Sequence, residues 1–217
     1  TLDEFVHVRG SGNGTILTGA DLRIAASASA FTFENVIVPL GDVEIHAVNG
    51  RDEASVDGTS STDVRVTDST IITTSFFGVD GGDVTVERST ITAGVGTTSG
   101  TAVRGAPITV IDSTLSAGNG VVFFLGTNTT VTVSGSRLTG TDSTIVLGGS
   151  GTNPTITVDD SYVENPDGTA IVNHGGATIT ITNSTGVTTG DAFVNPPGAG
   201  GSLTCLRVAE IDTPGRY

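Results

Sequence analysis

Apolar and polar residues alternate in short triplets that recur down this chain. Val84-Thr85-Val86, Ile108-Thr109-Val110, Val131-Thr132-Val133, Ile156-Thr157-Val158 and Ile179-Thr180-Ile181 are near copies of one another. Leu22-Arg23-Ile24, Val43-Glu44-Ile45 and Val64-Arg65-Val66 extend the comb upstream, and Leu203-Thr204-Cys205 extends it downstream. The unit is about two dozen residues long, a period that marks a repeat architecture. Within each triplet the first and third side chains share one face, so each predicts a short, half-buried strand.

Shortly after the triplet, consecutive units place Ser69, Ser89, Ser113, Ser136, Ser161 and Ser184, mostly behind a turn former such as Asp68, Asp112, Gly135, Asp160 or Asn183. A turn therefore falls at a fixed phase. A second strand follows (Thr70-Ile71, Thr90-Ile91, Thr114-Leu115, Arg137-Leu138, Tyr162-Val163), then a Gly-containing loop and a third strand such as Ala102-Val103 or Ala170-Ile171-Val172. One such unit cannot bury its apolar face alone. Stacking successive units about 4.8 Å apart pairs each strand with its counterparts above and below around an aliphatic interior.

The repeated V-T-V-x-x-S-x-I pattern resembles the right-handed parallel β-helix repeat of the pectate-lyase-like superfamily over residues 22 to 205. The resemblance implies an all-β fold, a right-handed parallel β-helix (β-solenoid) of about nine coils with three short strands per coil. Eight intervals then make a rod of roughly 40 Å. The expected organisation is an N-terminal strand-like segment at 1–21, the repeat domain at 22–205 and an irregular segment or cap at 206–217. The superfamily includes lyases, hydrolases, epimerases, adhesins and viral spikes, so the fold leaves the activity open.

Composition narrows the partners. The chain has 217 residues with 23 Asp plus Glu against 9 Lys plus Arg, a formal charge of −14, which opposes binding to nucleic acid. No apolar run approaches the roughly 18 residues of a transmembrane helix. The absence of Met and the first residue Thr1 lead to the expectation of a processed, exported chain, extracellular or at the cell surface. The lone Cys205 excludes an intrachain disulfide and takes an inward triplet position, where a buried thiol is expected.

Read down a stack, equivalent positions become columns. Arg23, Glu44 and Arg65 are expected one coil apart on the solvent face, followed by Thr85, Thr109, Thr132, Thr157, Thr180 and Thr204. The Thr column resembles the arrays of several antifreeze families, which makes ice binding a minor alternative, and the Ser column reads as structural. A carbohydrate-active enzyme, a polysaccharide lyase or hydrolase, would draw on the turn ridge. Arg88 is its candidate base, with Asp112 and Asp160 as carboxylates for a calcium-bridged uronate. Asp80 and Asp83 are weak calcium candidates in their own tight loop. His7, His46 and His174 lie far apart along the chain, too far for a shared site.

No amphipathic helix precedes Leu22, whereas monomeric enzymes of the superfamily cover that end with one. The expectation is a structural rod whose subunits associate end to end, as a surface appendage, filament or adhesin. Val6 and Val8 would lie at one interface, and Leu203 and Tyr217 at the other.

Overall fold

The computed structural model describes residues 5–9, 15–16, 22–24, 30–34, 36–38, 45–47, 54–57, 63–73, 77–95, 100–118, 121–140, 145–150, 152–166, 168–172, 176–195 and 200–212. Side chains are described from residue 63 onward, apart from 123–125, 145–150, 172 and 212. The described residues form an all-β parallel solenoid without a helix, built from three sheets. One level consists of Val84–Glu87 in the first sheet, Thr90–Ala93 in the second and Thr101–Gly105 in the third. Each strand pairs in parallel with its counterpart in the next level, as Val84 does with Ile108, Ile91 with Leu115 and Val103 with Val122.

The triplet comb built this interior as expected. Val84, Ile108, Val131, Ile156 and Ile179 stand in one register column of the first sheet, and Val86, Val110, Val133, Val158 and Ile181 in the next. All ten are 0–1% exposed. Ile71, Ile91, Leu115, Leu138 and Val163 supply the second sheet's column and are equally buried. Because every level repeats the same β-branched or leucine contacts, the core is a continuous stack of aliphatic layers. Each such side chain contributes about 1.5–3 kcal/mol by leaving water.

The upstream part of the comb is corrected. Leu22–Ile24 and Ile45–Ala47 belong to the third sheet, not the first. The first sheet runs instead from Phe5–Arg9 through Ala30–Glu34 to Asp63–Thr67. Arg65 is therefore flanked by Thr32 and Thr85, and Arg23 pairs in register with His46 in another sheet, so the two arginines do not share the expected column; Glu44 lies outside the described residues. An apolar-polar-apolar triplet fits any of the three walls. Without the serine turn behind it, nothing in the letters distinguishes one wall from another.

The coil count changes as well. About five turns make the complete, regular body, rather than nine. Each sheet does hold nine strands, yet the levels are not all complete. The third sheet gains an additional strand, Ala54–Asp57, beside Ile45–Ala47. It ends at Phe193–Val194, one level before Ser202–Leu206 and Ala209–Asp212 close the other two.

Candidate functional site

The turn between the first and second strands uses one backbone conformation at every described level. Asp68, Arg88, Asp112, Gly135, Asp160, Asn183 and Arg207 have φ of 49°, 46°, 48°, 58°, 46°, 49° and 53°. This left-handed conformation costs most L residues roughly 1–2 kcal/mol and is easiest for Gly, Asn and Asp, which explains the letters at this phase. At Gly135 a side chain would also collide with its neighbour, since a Cβ there would lie 2.2 Å from Asp112 Oδ1.

The serine that follows each turn is buried and belongs to a ladder. The amide of Ser69 donates to Ser89 Oγ at 3.0 Å, Ser89 to Ser113 at 3.1 Å, Ser113 to Ser136 at 3.0 Å, Ser136 to Ser161 at 3.2 Å and Ser161 to Ser184 at 3.1 Å. Each hydroxyl in turn donates to the carbonyl two residues earlier in its own turn, as Ser113 does to Ile111 at 2.7 Å. Both functions of the hydroxyl are thus consumed by backbone. None of these serines is available as a nucleophile.

The candidate lyase residues lie along this ridge but do not converge. Arg88 turns toward Asp68, with Nε 2.8 Å from Oδ1 and Nη2 2.9 Å from Oδ2, and its other amino group meets Glu87. Its hydrogen bond holds the Asp68 carboxyl below its usual range and fixes Arg88 itself as a cation. Such a group is no base. Asp112 and Asp160 are separated by the level of Gly135, about 10 Å along the axis. Beside Asp160, Asp159 accepts from Thr182 Oγ1 and from Asn183 Nδ2 at 3.0 Å, bonds that lower its pKa.

Asp80 and Asp83 separate as well. Asp80 is buried and carries the guanidinium of Arg104 on both carboxylate oxygens, one bond measuring 2.8 Å. Arg104 also lies over the Phe77 ring, 3.7 Å from its centroid. Asp83 is exposed, and partial desolvation, followed by the charge of Asp63, raises its pKa. Among the described residues no three His, Cys, Asp or Glu side chains are placed to hold a metal ion. The sequence reading missed Arg104 as Asp80's partner because the two lie 24 residues apart on third-sheet strands whose letters do not repeat.

Of the interface candidates, Val6 and Val8 lie in register with Phe31 and Phe33, on the outermost strand of the first sheet. Leu203 is half-buried on the strand at the opposite edge, and Tyr217 lies outside the described residues. Cys205 is exposed, which corrects the expected buried thiol. It does occupy the inward column above Ile181, but no described strand lies over it. Partial desolvation, then the charge of Glu210, raises the thiol's pKa and keeps it protonated.

The wall of the first sheet is broader in hydroxyls than the single expected column. Thr132, Thr157, Thr180 and Thr204 stand in register, and beside them Thr130, Thr155, Thr178 and Ser202 form a second column, every member exposed. The Thr-x-Thr spacing of these strands was readable in the sequence. An open depression of about 370 Å³ lies where Pro107 faces Asn128, Thr129 and Thr130, and its lining carries no charged or aromatic side chain. No protein-family model, curated protein or solved structure matches this chain.

Proposed function

We propose that this chain is a structural rod of the extracellular space or cell surface, a right-handed parallel β-helix akin to the pectate-lyase-like superfamily, whose subunits associate end to end. The observation that carries the reading is the last level. Cys205, at an inward position, is exposed where Val66, Val86, Val110, Val133, Val158 and Ile181 beneath it are buried. Phe5–Arg9 and Ser202–Leu206 close the first sheet at its two edges, and every described pair between them is parallel. A second copy laid along the axis would extend that sheet without reversing a strand. Sedimentation velocity and negative-stain microscopy test this. Lengthened rods whose population grows with concentration are expected, and a monodisperse monomer at every concentration rejects assembly. The carbohydrate-enzyme alternative draws no support from Arg88, which pairs with Asp68 and Glu87, or from Asp112 and Asp160, which stand two levels apart.

The paired hydroxyl columns favour a second reading, ice binding. Neighbouring levels repeat at about 4.8 Å and alternate residues of a strand at about 6.7 Å, so the two columns make a regular, uncharged lattice of hydroxyls and methyls. Inhibition of ice recrystallisation that Thr157→Lys abolishes is the expected outcome. An inactive wild-type chain removes the reading.

A further inference from the structure

Asn128, Asn153 and Asn183 stand exposed on corners of the rod, each with left-handed backbone, at φ of 56°, 53° and 49°. As turn formers the three are alike, and the residues that follow them are not. Asn128-Thr129-Thr130 and Asn183-Ser184-Thr185 fit the acceptor triplet Asn-x-Ser/Thr for an N-linked oligosaccharide. Asn153-Pro154-Thr155 carries the one residue barred from the middle position. A further triplet begins at Asn13, outside the described residues.

The two permitted triplets sit in different surroundings. Asn183 belongs to the serine-ladder corner, where its Nδ2 donates to Asp159 Oδ1 at 3.0 Å. Ser184 beside it is 2% exposed, with its hydroxyl committed to the Thr182 carbonyl and the Ser161 amide, and Thr185 is half-buried. A sugar on that nitrogen would crowd the Asp159 carboxylate. Asn128 lies instead on the corner between the third and first sheets, after Val122–Leu125 and before Thr130–Ser134. Its backbone amide donates to the Thr152 carbonyl at 2.9 Å, which fixes the corner, while its side-chain amide makes no hydrogen bond among the described residues. Thr130, whose hydroxyl completes the triplet, is exposed. The open depression of about 370 Å³ adjoins this asparagine, with Ala106, Pro107 and Gly126 in its uncharged lining. That volume falls within the roughly 300–1,000 Å³ of small-molecule sites, so the first sugar of a chain on Asn128 has room against the wall. Thr130–Ser134 is an inner strand of the first sheet, so the sugar would stand on the flank of the rod.

The geometry points to Asn128 as an acceptor for an N-linked oligosaccharide. The donor is a polyprenyl-diphosphate-linked sugar chain. Asn128 Nδ2 bonds to C1 of its first sugar, the C1–O bond to phosphate breaks, polyprenyl diphosphate leaves with the electron pair, and one amide proton passes to the transferase's base. The inference rests on the extracellular reading, because such transfer takes place on exported chains.

The full chain secreted from a eukaryotic host behind a supplied leader tests this, as wild type, Asn128→Gln, Thr130→Val and Pro154→Ser, with circular dichroism confirming the β fold of each. Enzymatic release of the glycan in heavy-oxygen water marks every occupied asparagine as a labelled aspartate for peptide mass mapping. Wild type is expected to carry a glycan on Asn128 and to leave Asn183 bare. Asn128→Gln and Thr130→Val should lose that glycan, and Pro154→Ser, which completes a triplet on the same corner one level on, should gain a second at Asn153. A bare Asn128 in the secreted wild type overturns the acceptor. Occupancy of Asn183 equal to that of Asn128 overturns it too, since the free amide and exposed hydroxyl would then make no difference. A folded Pro154→Ser chain bare at Asn153 overturns the corner as the presenting feature. The supplied leader keeps the two readings apart: a bare Asn128 leaves the extracellular reading standing, and an occupied one stands even where the chain proves to remain inside its own cell.

Discussion

Arg104→Leu should lower unfolding stability by about 3–5 kcal/mol, because it leaves the carboxylate of Asp80 buried without a partner. Asp80 and Arg104 have only 8% and 11% of their side-chain surface exposed, so water cannot replace the lost guanidinium. The double change Asp80→Leu with Arg104→Leu should recover most of the loss, since two apolar side chains in place of a buried ion pair are commonly neutral or stabilising. Urea denaturation of the single and double variants measures both. A double variant no more stable than the single would show that the contact of Arg104 with Phe77, rather than the ion pair, dominates this site.

Ser113→Ala is expected to cost about 1–3 kcal/mol although it removes a single oxygen. That hydroxyl accepts from the amide of Ser89 and donates to the carbonyl of Ile111, so its loss strands the buried Ser89 N–H, while the Ile111 carbonyl keeps the Arg88 amide as its donor. Ser202→Ala is the natural control, an exposed hydroxyl on the outer wall whose removal should change stability by less than about 0.5 kcal/mol. Equal denaturation midpoints for the two variants would mean that the ladder is geometry without energetic weight.

The legible features are those in which one physical requirement repeats at one phase. The left-handed turn admits few residue types cheaply, so Asp, Asn and Gly recur before the serine. Serine recurs because a small hydroxyl satisfies two backbone groups at once. Both are legible in the letters alone, as is the dry aliphatic interior. The third wall was harder to read because Leu22–Ile24 and Ile45–Ala47 satisfy the same alternation as the first wall, and alternation reports which side faces inward, not which sheet a strand joins. Cys205 failed for a related reason. Its phase is inward, but burial also needs another layer above it. Of the candidate site, the sequence supplied the ridge and misjudged its pairing, since Arg88 reaches one level toward the N-terminus to Asp68 rather than one level onward to Asp112.

The serine corners also make the length of this molecule a counted quantity. Ser89, Ser113, Ser136 and Ser161 are the same corner on successive floors, each meeting the next through an identical amide-to-hydroxyl step. Excising or duplicating the segment between two corners would therefore preserve the serine ladder and change the reach of the column by one storey, about 4.8 Å. Gene-level copying of a single floor that carries no ion pair to its neighbour is enough to retune how far such a protein extends, since the corner contact is the same on each of these floors.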